Sequence, residues 1–270
     1  MSEKGHLQKT YEIISYVRSL TDLPLIVNFS GGKDSSALLL ATLDVTENVE
    51  ALYMDSGITL PHTLDFVKKQ AKHLGIKLHI SYPEESLLEL VERFGYFPMI
   101  HKPFCSIYLK IRPARHYFRS VYGKQTLYKL VAVRKSESTR RSSMYDWKRR
   151  KAKYYPVVDE KFNIIRDDEH RGSFMVYPIL HWTDQNVLDF LEKKKFKVEK
   201  DYEDFGVSGC YWCPFYQESI YRRVLEAYPN IYDEIIALEK RLGKPSVGGK
   251  KFLWQIKESF MAESKLDEHC

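Results

Sequence analysis

At 270 residues the chain has room for one sizeable domain, or one domain with an appendage. Its 44% hydrophobic and 29% charged residues are those of an ordinary soluble globular protein, which excludes a disordered, collagenous or low-complexity chain. The formal charge of +6, from 42 Lys and Arg against 36 Asp and Glu, suits an anionic ligand such as a nucleotide or RNA.

Residues 6–20 place Ile13, Ile14, Val17 and Leu20 at helical spacing. Pro24–Phe29 reads as a short buried strand bounded by turn residues, followed by a Ser-Gly-Gly loop and a helix over Ser35–Leu43. Val49–Met54 is a second strand, ending in Asp55-Ser56-Gly57. Pro61 opens a helix that runs to Leu74 and stops at Gly75, and Ile76–Ile80 is a third strand. Helices over Glu84–Arg93 and Ser106–Ser120 precede a fourth buried strand, Leu127–Val133. Lys135–Met175 is polar, basic and poor in periodicity; it reads as long active-site loops, with a small hairpin at Tyr154–Ile165. Its basic run Lys148–Lys153 reads as a solvated loop, with phosphate contact as the alternative. Pro178–Leu180 leads into a helix over Thr183–Lys193 with Asp184 near its first turn. Beyond Lys195, Tyr202–Phe215 carries two cysteines among aromatics and glycines. Helices over Glu218–Tyr228, Asn230–Leu242 and Leu253–Met261 follow.

This alternation predicts an α/β fold: a doubly wound, mainly parallel, Rossmann-like sheet with helices on both faces and a small helical C-terminal segment. The expected division is a nucleotide-binding domain at 1–195 and a cysteine-containing loop with C-terminal helices at 196–270. No apolar run approaches the length of a membrane span, and the first residues lack the uncharged apolar core of a signal peptide. A cytoplasmic address and no membrane partner are therefore expected.

The loop Ser30-Gly31-Gly32-Lys33-Asp34-Ser35 stands between a buried strand and a helix, at the strand end where open α/β sheets bind ligands. Two glycines let backbone N–H groups converge, and the helix N-terminus adds its positive dipole end. Ser30 and Ser35 can donate hydroxyl hydrogen bonds, and Lys33 supplies a charge for a phosphate or sulfate oxygen. The pattern is not a Walker loop, which needs G-x-x-x-x-G-K-[ST]. It resembles the pyrophosphate-binding loop of the adenine-nucleotide α-hydrolase superfamily, which includes ATP pyrophosphatases, tRNA-thiolating enzymes and phosphoadenosine-phosphosulfate (PAPS) reductases. Lys33 and Asp34 are its catalytic candidates.

Other segments narrow the resemblance to the PAPS-reductase branch, over about residues 24–215. Asp55-Ser56-Gly57 is similar to that family's Asp-Thr/Ser-Gly; Cys105 with Leu109, Lys110 and Pro113 to its cysteine and Leu-Lys-x-x-Pro. Arg134, Glu137 and Ser138 resemble its Arg-x-x-Glu-Ser-x-x-Arg, with Arg140 near the closing arginine, and Pro178–Thr183 its Pro-Ile-x-x-Trp-Thr. The resemblance implies that Asp55, Ser56, Gly57, Lys110, Arg134, Glu137, Ser138 and Arg140 join Ser30–Ser35 in binding ATP, adenylylsulfate (APS) or PAPS. In local terms, Asp55 at a strand end can order Mg²⁺ or a ribose, or simply cap its turn. Arg134 and Arg140 offer bidentate donors that Glu137 can hold in place, or they form surface salt bridges. Trp182 reads as a core aromatic.

Four cysteines are present, Cys105, Cys210, Cys213 and Cys270, and in a cytoplasmic chain they point to metal or redox use. The turn Cys210-Tyr211-Trp212-Cys213 leaves zinc, iron–sulfur and redox uses open. In context it resembles the C-x-x-C with which iron–sulfur members of the PAPS-reductase family hold a [4Fe-4S] cluster, with Cys105 at the earlier cysteine site; zinc is the alternative. Those APS reductases have Cys-Cys where this chain has Phe104-Cys105. Their C-terminal Glu-Cys-Gly is likewise replaced, here by His269-Cys270, so Cys270 is a candidate nucleophile, a fourth ligand or a frayed end.

Three functions follow. The first is ATP-dependent sulfur transfer, as in tRNA thiolation or the DNA phosphorothioation sulfurtransferases that the single early cysteine resembles. Its partners would be RNA or another sulfur acceptor and a sulfur or thiol donor protein. The second is APS or PAPS reduction to sulfite through Cys270, and the third a non-catalytic nucleotide- or metal-binding module.

Overall fold

In the computed structural model, which describes residues 3–139, 142, 173–198, 204–205 and 209–267, the run Leu25–Asn28 (β1) lies at the centre of a five-stranded sheet. Leu25, Ile26 and Val27 are fully buried, which is why this strand is an unbroken apolar run rather than an alternating one. The other strands are Val49–Met54 (β2), Lys77–Ser81 (β3), Leu127–Leu130 (β4) and Ser173–Val176 (β5), and the order is β3-β2-β1-β4-β5. β1 runs parallel to both β2 and β4, and β4 runs parallel to β5. The doubly wound parallel sheet expected from the sequence is therefore present. The chain builds outward from β1 through β2 to β3 and then returns to β1's other side, so the switch point falls between β1 and β4. Open sheets of this kind bind ligands outside the strand carboxyl ends at that point.

Two compact units divide the chain. One comprises Met1–Tyr53, His62–Ile80 and Arg119–Lys200, the other Met54–Pro61, Ser81–Phe118 and Asp201–Cys270. The second unit thus draws two of its three segments from within residues 1–195.

The first unit holds the sheet and the helices Glu3–Ser19 (α1), Lys33–Leu43 (α2) and Thr63–His73 (α3). Residues Ser35 to Thr42 of α2 are all buried, against β1, α1 and the helix Asp184–Lys193. A helix apolar around its circumference belongs inside a layered fold. Near the amino end of β2, Glu50 accepts hydrogen bonds from Lys77, His79 and the hydroxyl of Tyr122. Burial opposes ionisation of Glu50, but Tyr122, His79 and Lys77 outweigh it and hold its carboxyl below the ordinary glutamate value.

The second unit has its own core, with Leu87, Leu90, Phe97, Phe104, Trp212, Tyr221, Tyr232 and Leu253 among its members. Helix Leu87–Phe94 (α4) begins with a reciprocal Ser86–Glu89 cap and ends at Gly95 in the left-handed conformation. The helix expected over Ser106–Ser120 is two elements: a π-helical turn, Ser106–Ile111, and the α-helix Arg112–Tyr122 (α5). Pro113 explains the widened turn. It has no N–H for the carbonyl of Leu109 and its ring crowds that carbonyl, and Arg112 donates back to Ile107 instead. After Asp184–Lys193 (α6), which belongs to the first unit, come Glu218–Ala227 (α7), Asp233–Leu242 (α8) and Leu253–Asp267 (α9) of the second. The fully buried Glu239 accepts the N–H groups of Ser246, Leu253 and Trp254, and so caps the amino end of α9.

Two expectations need correction. β5 was not foreseen, since Ser173–Met175 falls in the stretch read as loops. The fourth strand ends at Leu130, not Val133, because Val133 donates back to Val131 and packs with Tyr177 and Leu180. Among the described residues no helix is long and apolar enough to cross a membrane.

Candidate functional site

The loop after β1 turns at Gly31, whose φ of +84° is costly for any residue with a Cβ. A Cβ there would also lie 3.2 Å from Val67 and 3.4 Å from Phe66, both on α3. The Ser30 and Ser35 hydroxyls stand 3.1 Å from each other, and Ser35 also reaches the Gly32 carbonyl at 2.9 Å. Gly32 is the N-cap of α2 with no side chain to occupy the cap, so the helix's first N–H groups face the loop.

Two cations converge here. Arg134, four residues past β4, is almost wholly buried, with a side chain 2% exposed. Its guanidinium grips Asp34 at two points, 3.0 Å from Nε and 3.2 Å from Nη2, and donates to Ser136 at 2.9 Å. The same Nη2 reaches Asp184 at 2.7 Å, and Lys33 hydrogen-bonds that same aspartate oxygen. Ser136 in turn donates to the Trp182 carbonyl, which ties the loop after β4 to the start of α6. Burial works against the charge on Arg134, but the carboxylates of Asp34 and Asp184 outweigh it and raise its pKa. The Lys33 hydrogen bond, with help from Arg134, holds the Asp184 carboxyl below its ordinary value.

The structure thus gathers Ser30–Ser35, Arg134 and Asp184 in the first unit. Glu137 does not hold the Arg134 guanidinium; a short 3₁₀ turn, Lys135–Glu137, brings its carboxylate to the Arg134 backbone N–H at 3.1 Å. Ser138 follows that turn, and Arg140 lies outside the described residues. On the sequence alone Asp184 lies near the first turn of its helix and has no part in the expected site. Its signal was an acidic residue opening the helix directly after the Pro-Ile-x-x-Trp-Thr segment. Trp182 is a core residue, its indole N–H donating to Thr10 at 2.9 Å.

Asp55, Ser56, Gly57 and Lys110 belong to the second unit. Asp55 caps its own turn by accepting the Gly57 N–H at 2.9 Å. Ser56, fully buried, has its hydroxyl 3.4 Å from the Cys210 sulfur. Lys110, on the π-helical turn, lies beside Cys210, and the charge of Cys210, then of Cys213 and Cys105, raises its pKa against the opposing effect of burial. The cysteine turn is a built feature. It pairs antiparallel with Ile58–Leu60, and the hydroxyls of Tyr216, Tyr221 and Tyr232 donate to the carbonyls of Cys210, Cys213 and Tyr211. Cys105, Cys210 and Cys213 are free thiols. Burial, then Cys210, raises the Cys105 thiol, and burial pushes Cys213 up to about 12. Three thiols in electrostatic contact beside an ammonium form a donor set of the kind that soft metals and iron–sulfur clusters take. Among the described residues no three His, Cys, Asp or Glu side chains stand in metal-holding geometry. Cys270 is outside the described residues.

A glycine-turned phosphate loop, a parallel sheet with its switch point beside it, and a lysine converging with a buried arginine together define a phosphate-loop α/β protein. The sequence matches the family model "Phosphoadenosine phosphosulfate reductase domain" over residues 24–215, and the chain belongs to that family. An uncharacterised protein of Methanocaldococcus jannaschii is 27% identical over 259 residues, covering 94% of this chain and 48% of its own length. The chain therefore spans about half the length of that relative. In fold it is similar to the PAPS reductase of Candida auris in its phosphate complex, with a TM-score of 0.50 at 17% identity, over 75% of this chain and 87% of that one. It is also similar to the U34-tRNA thiolase NcsA of Methanococcus maripaludis with its [4Fe-4S] cluster. There the TM-score is 0.50 at 15% identity, over 92% and 83% of the two chains.

Proposed function

We propose that the chain is an adenine-nucleotide-dependent sulfur-transfer enzyme that uses ATP to activate an acceptor oxygen. The observation that carries this reading is the pairing of Lys33 with Arg134 at the phosphate loop. Two cations beside a helix N-terminus suit a departing pyrophosphate, whose charge grows as the α-phosphate is attacked. The acceptor oxygen attacks the α-phosphorus, the bond to pyrophosphate breaks, and the acceptor–AMP ester remains. A sulfur nucleophile then forms a bond to the acceptor carbon and AMP leaves with the oxygen. Lys33 and Arg134 neutralise the leaving group; Ser30, Ser35 and the loop N–H groups orient the phosphates.

Cys105, Cys210 and Cys213 would hold a [4Fe-4S] cluster, with zinc as the alternative, which when bound supplies a soft site for sulfur. Lys110 and Ser56 would steady the Cys210 sulfur. Phe104, where APS reductases have a second cysteine, packs its ring on Phe94 and Tyr96, so this position offers no thiol. The U34-tRNA thiolase similarity supports an RNA acceptor. The family match supports a second reading, reduction of APS or PAPS to sulfite.

The test uses protein purified without oxygen. Pyrophosphate release from ATP, dependent on an acceptor and lost in Lys33→Ala, is the expected result. Sulfite formation from APS or PAPS with a thiol donor, and no pyrophosphate release from ATP, would replace this reading with the second.

A further inference from the structure

The two carboxylates at the phosphate loop are held very differently. Asp34 is gripped at two points by Arg134, also takes Lys33 at 3.3 Å, and has a side chain only 17% exposed. Asp184 enters from the first residue of α6 with a side chain 70% exposed, and one of its oxygens takes both Arg134 and Lys33. We propose that Asp184 is a further binding-site residue of the loop, a displaceable counter-ion whose carboxylate occupies the position that a phosphate oxygen takes on Lys33 and Arg134. This inference rests on the phosphate-loop reading given above.

Three observations support it. Lys33 and the Arg134 Nη2 meet at one Asp184 oxygen, and a phosphate oxygen placed there satisfies both of these donors, whereas two anions in that position repel. Asp34 cannot be the group that yields, because its departure would strand a buried guanidinium. Asp184 can yield cheaply, since most of its side chain already faces water. The backbone need not move. Thr183 and Asn186 cap α6 reciprocally, at 3.1 and 3.0 Å, so the helix start is fixed independently of the Asp184 side chain. The ligand class that follows is a di- or triphosphate, whose charge outcompetes one carboxylate.

Asp184→Asn keeps the size and removes the charge. Isothermal titration with inorganic pyrophosphate and with ATP, each with and without Mg²⁺, is expected to give binding about fivefold tighter than wild type. The ligand-free melting temperature should fall while the ligand-induced rise grows, a pattern that loss of a purely structural contact does not produce. Asp184→Ser should act in the same direction. Wild-type binding with equal or weaker binding by both variants overturns the counter-ion role and leaves the phosphate-loop reading intact. Weakening confined to the Mg²⁺ titrations also overturns it, by assigning Asp184 to the nucleotide's metal ion. No binding of either ligand by any of the three proteins overturns both readings.

Discussion

Replacing Arg134 with methionine removes a buried cation that joins three parts of the first unit. It donates to the start of α2 at Asp34, to the start of α6 at Asp184, and to its own turn at Ser136. Deleting one member of a buried pair costs roughly 3–5 kcal/mol, because the other charge is left uncompensated. Asp34 is partly exposed and Asp184 mostly so, which places Arg134→Met at the lower end, about 3 kcal/mol. For a chain of this length that is a fall in melting temperature of roughly 6–12 °C. Arg134→Lys keeps the charge but not the two-point grip, and should lose about half as much. Urea unfolding near neutral pH, followed by circular dichroism, gives the free energies. The decisive comparison is Arg134→Met combined with Asp34→Asn. With Asp34 no longer stranded by the missing guanidinium, the double variant should be less destabilised than the sum of the singles by at least 1 kcal/mol or so. A single-variant cost below about 1 kcal/mol, or strict additivity in the cycle, would refute the reasoning.

Gly31→Ala combines a left-handed φ with a Cβ 3.2 Å from Val67, so it should lose about 1–2 kcal/mol of stability and most pyrophosphate binding. Titration showing unchanged binding would argue that the loop is not the phosphate site. Glu50 has a folded pKa below its unfolded value, so its contribution is present above about pH 4.3 and is lost as pH falls through the folded value. Wild type should therefore exceed Glu50→Gln in stability at pH 7, with the gap narrowing as pH falls below about 4; a gap that does not narrow with falling pH contradicts the assignment. Cys213, with its thiol pushed up to about 12, should react with iodoacetamide at pH 8 about a thousandfold more slowly in folded, chelator-treated protein than after unfolding. Peptide mass spectrometry measures the two rates, and rapid labelling in the folded state counts against the burial argument.

The central strands were legible because a strand buried on both faces must be written almost wholly in apolar residues. Leu25–Val27 and Ala51–Tyr53 are such runs, and each is closed by a polar or glycine turn. β5 carried no comparable signal. It is four residues long, sits at the sheet edge and buries only Val176 fully, so Ser173–Met175 blends into the polar stretch before it. Val131–Val133 shows the opposite error. Its apolarity is real, but it serves a small cluster with Tyr177 and Leu180 rather than the ladder. In Ser106–Ile111 the helical periodicity was correct and the winding was not, because Pro113 decides it from beyond the segment.

The glycine turn and the helix start behind it could be read from six consecutive residues because their causes are local: glycine torsions and a helix N-terminus. The loop's electrostatic partners are not local. Arg134 lies 100 residues from Asp34 and 50 from Asp184, and only the order β3-β2-β1-β4-β5, with β1 beside β4, brings the loops after those strands together. A sequence pattern supplies residue types without their directions. The family pattern groups Lys110 with the nucleotide residues, whereas in the structure its charge lies nearest the cysteine turn at Cys210. Glu137 was expected to brace the Arg134 guanidinium, yet a three-residue turn leaves its carboxylate at the backbone. A guanidinium buried as deeply as that of Arg134 must find carboxylates, so the existence of partners follows from its burial alone. Which carboxylates answer is settled by topology. That is why Asp184, chemically unremarkable in the sequence, is the residue whose charge the site most directly sets against an incoming phosphate.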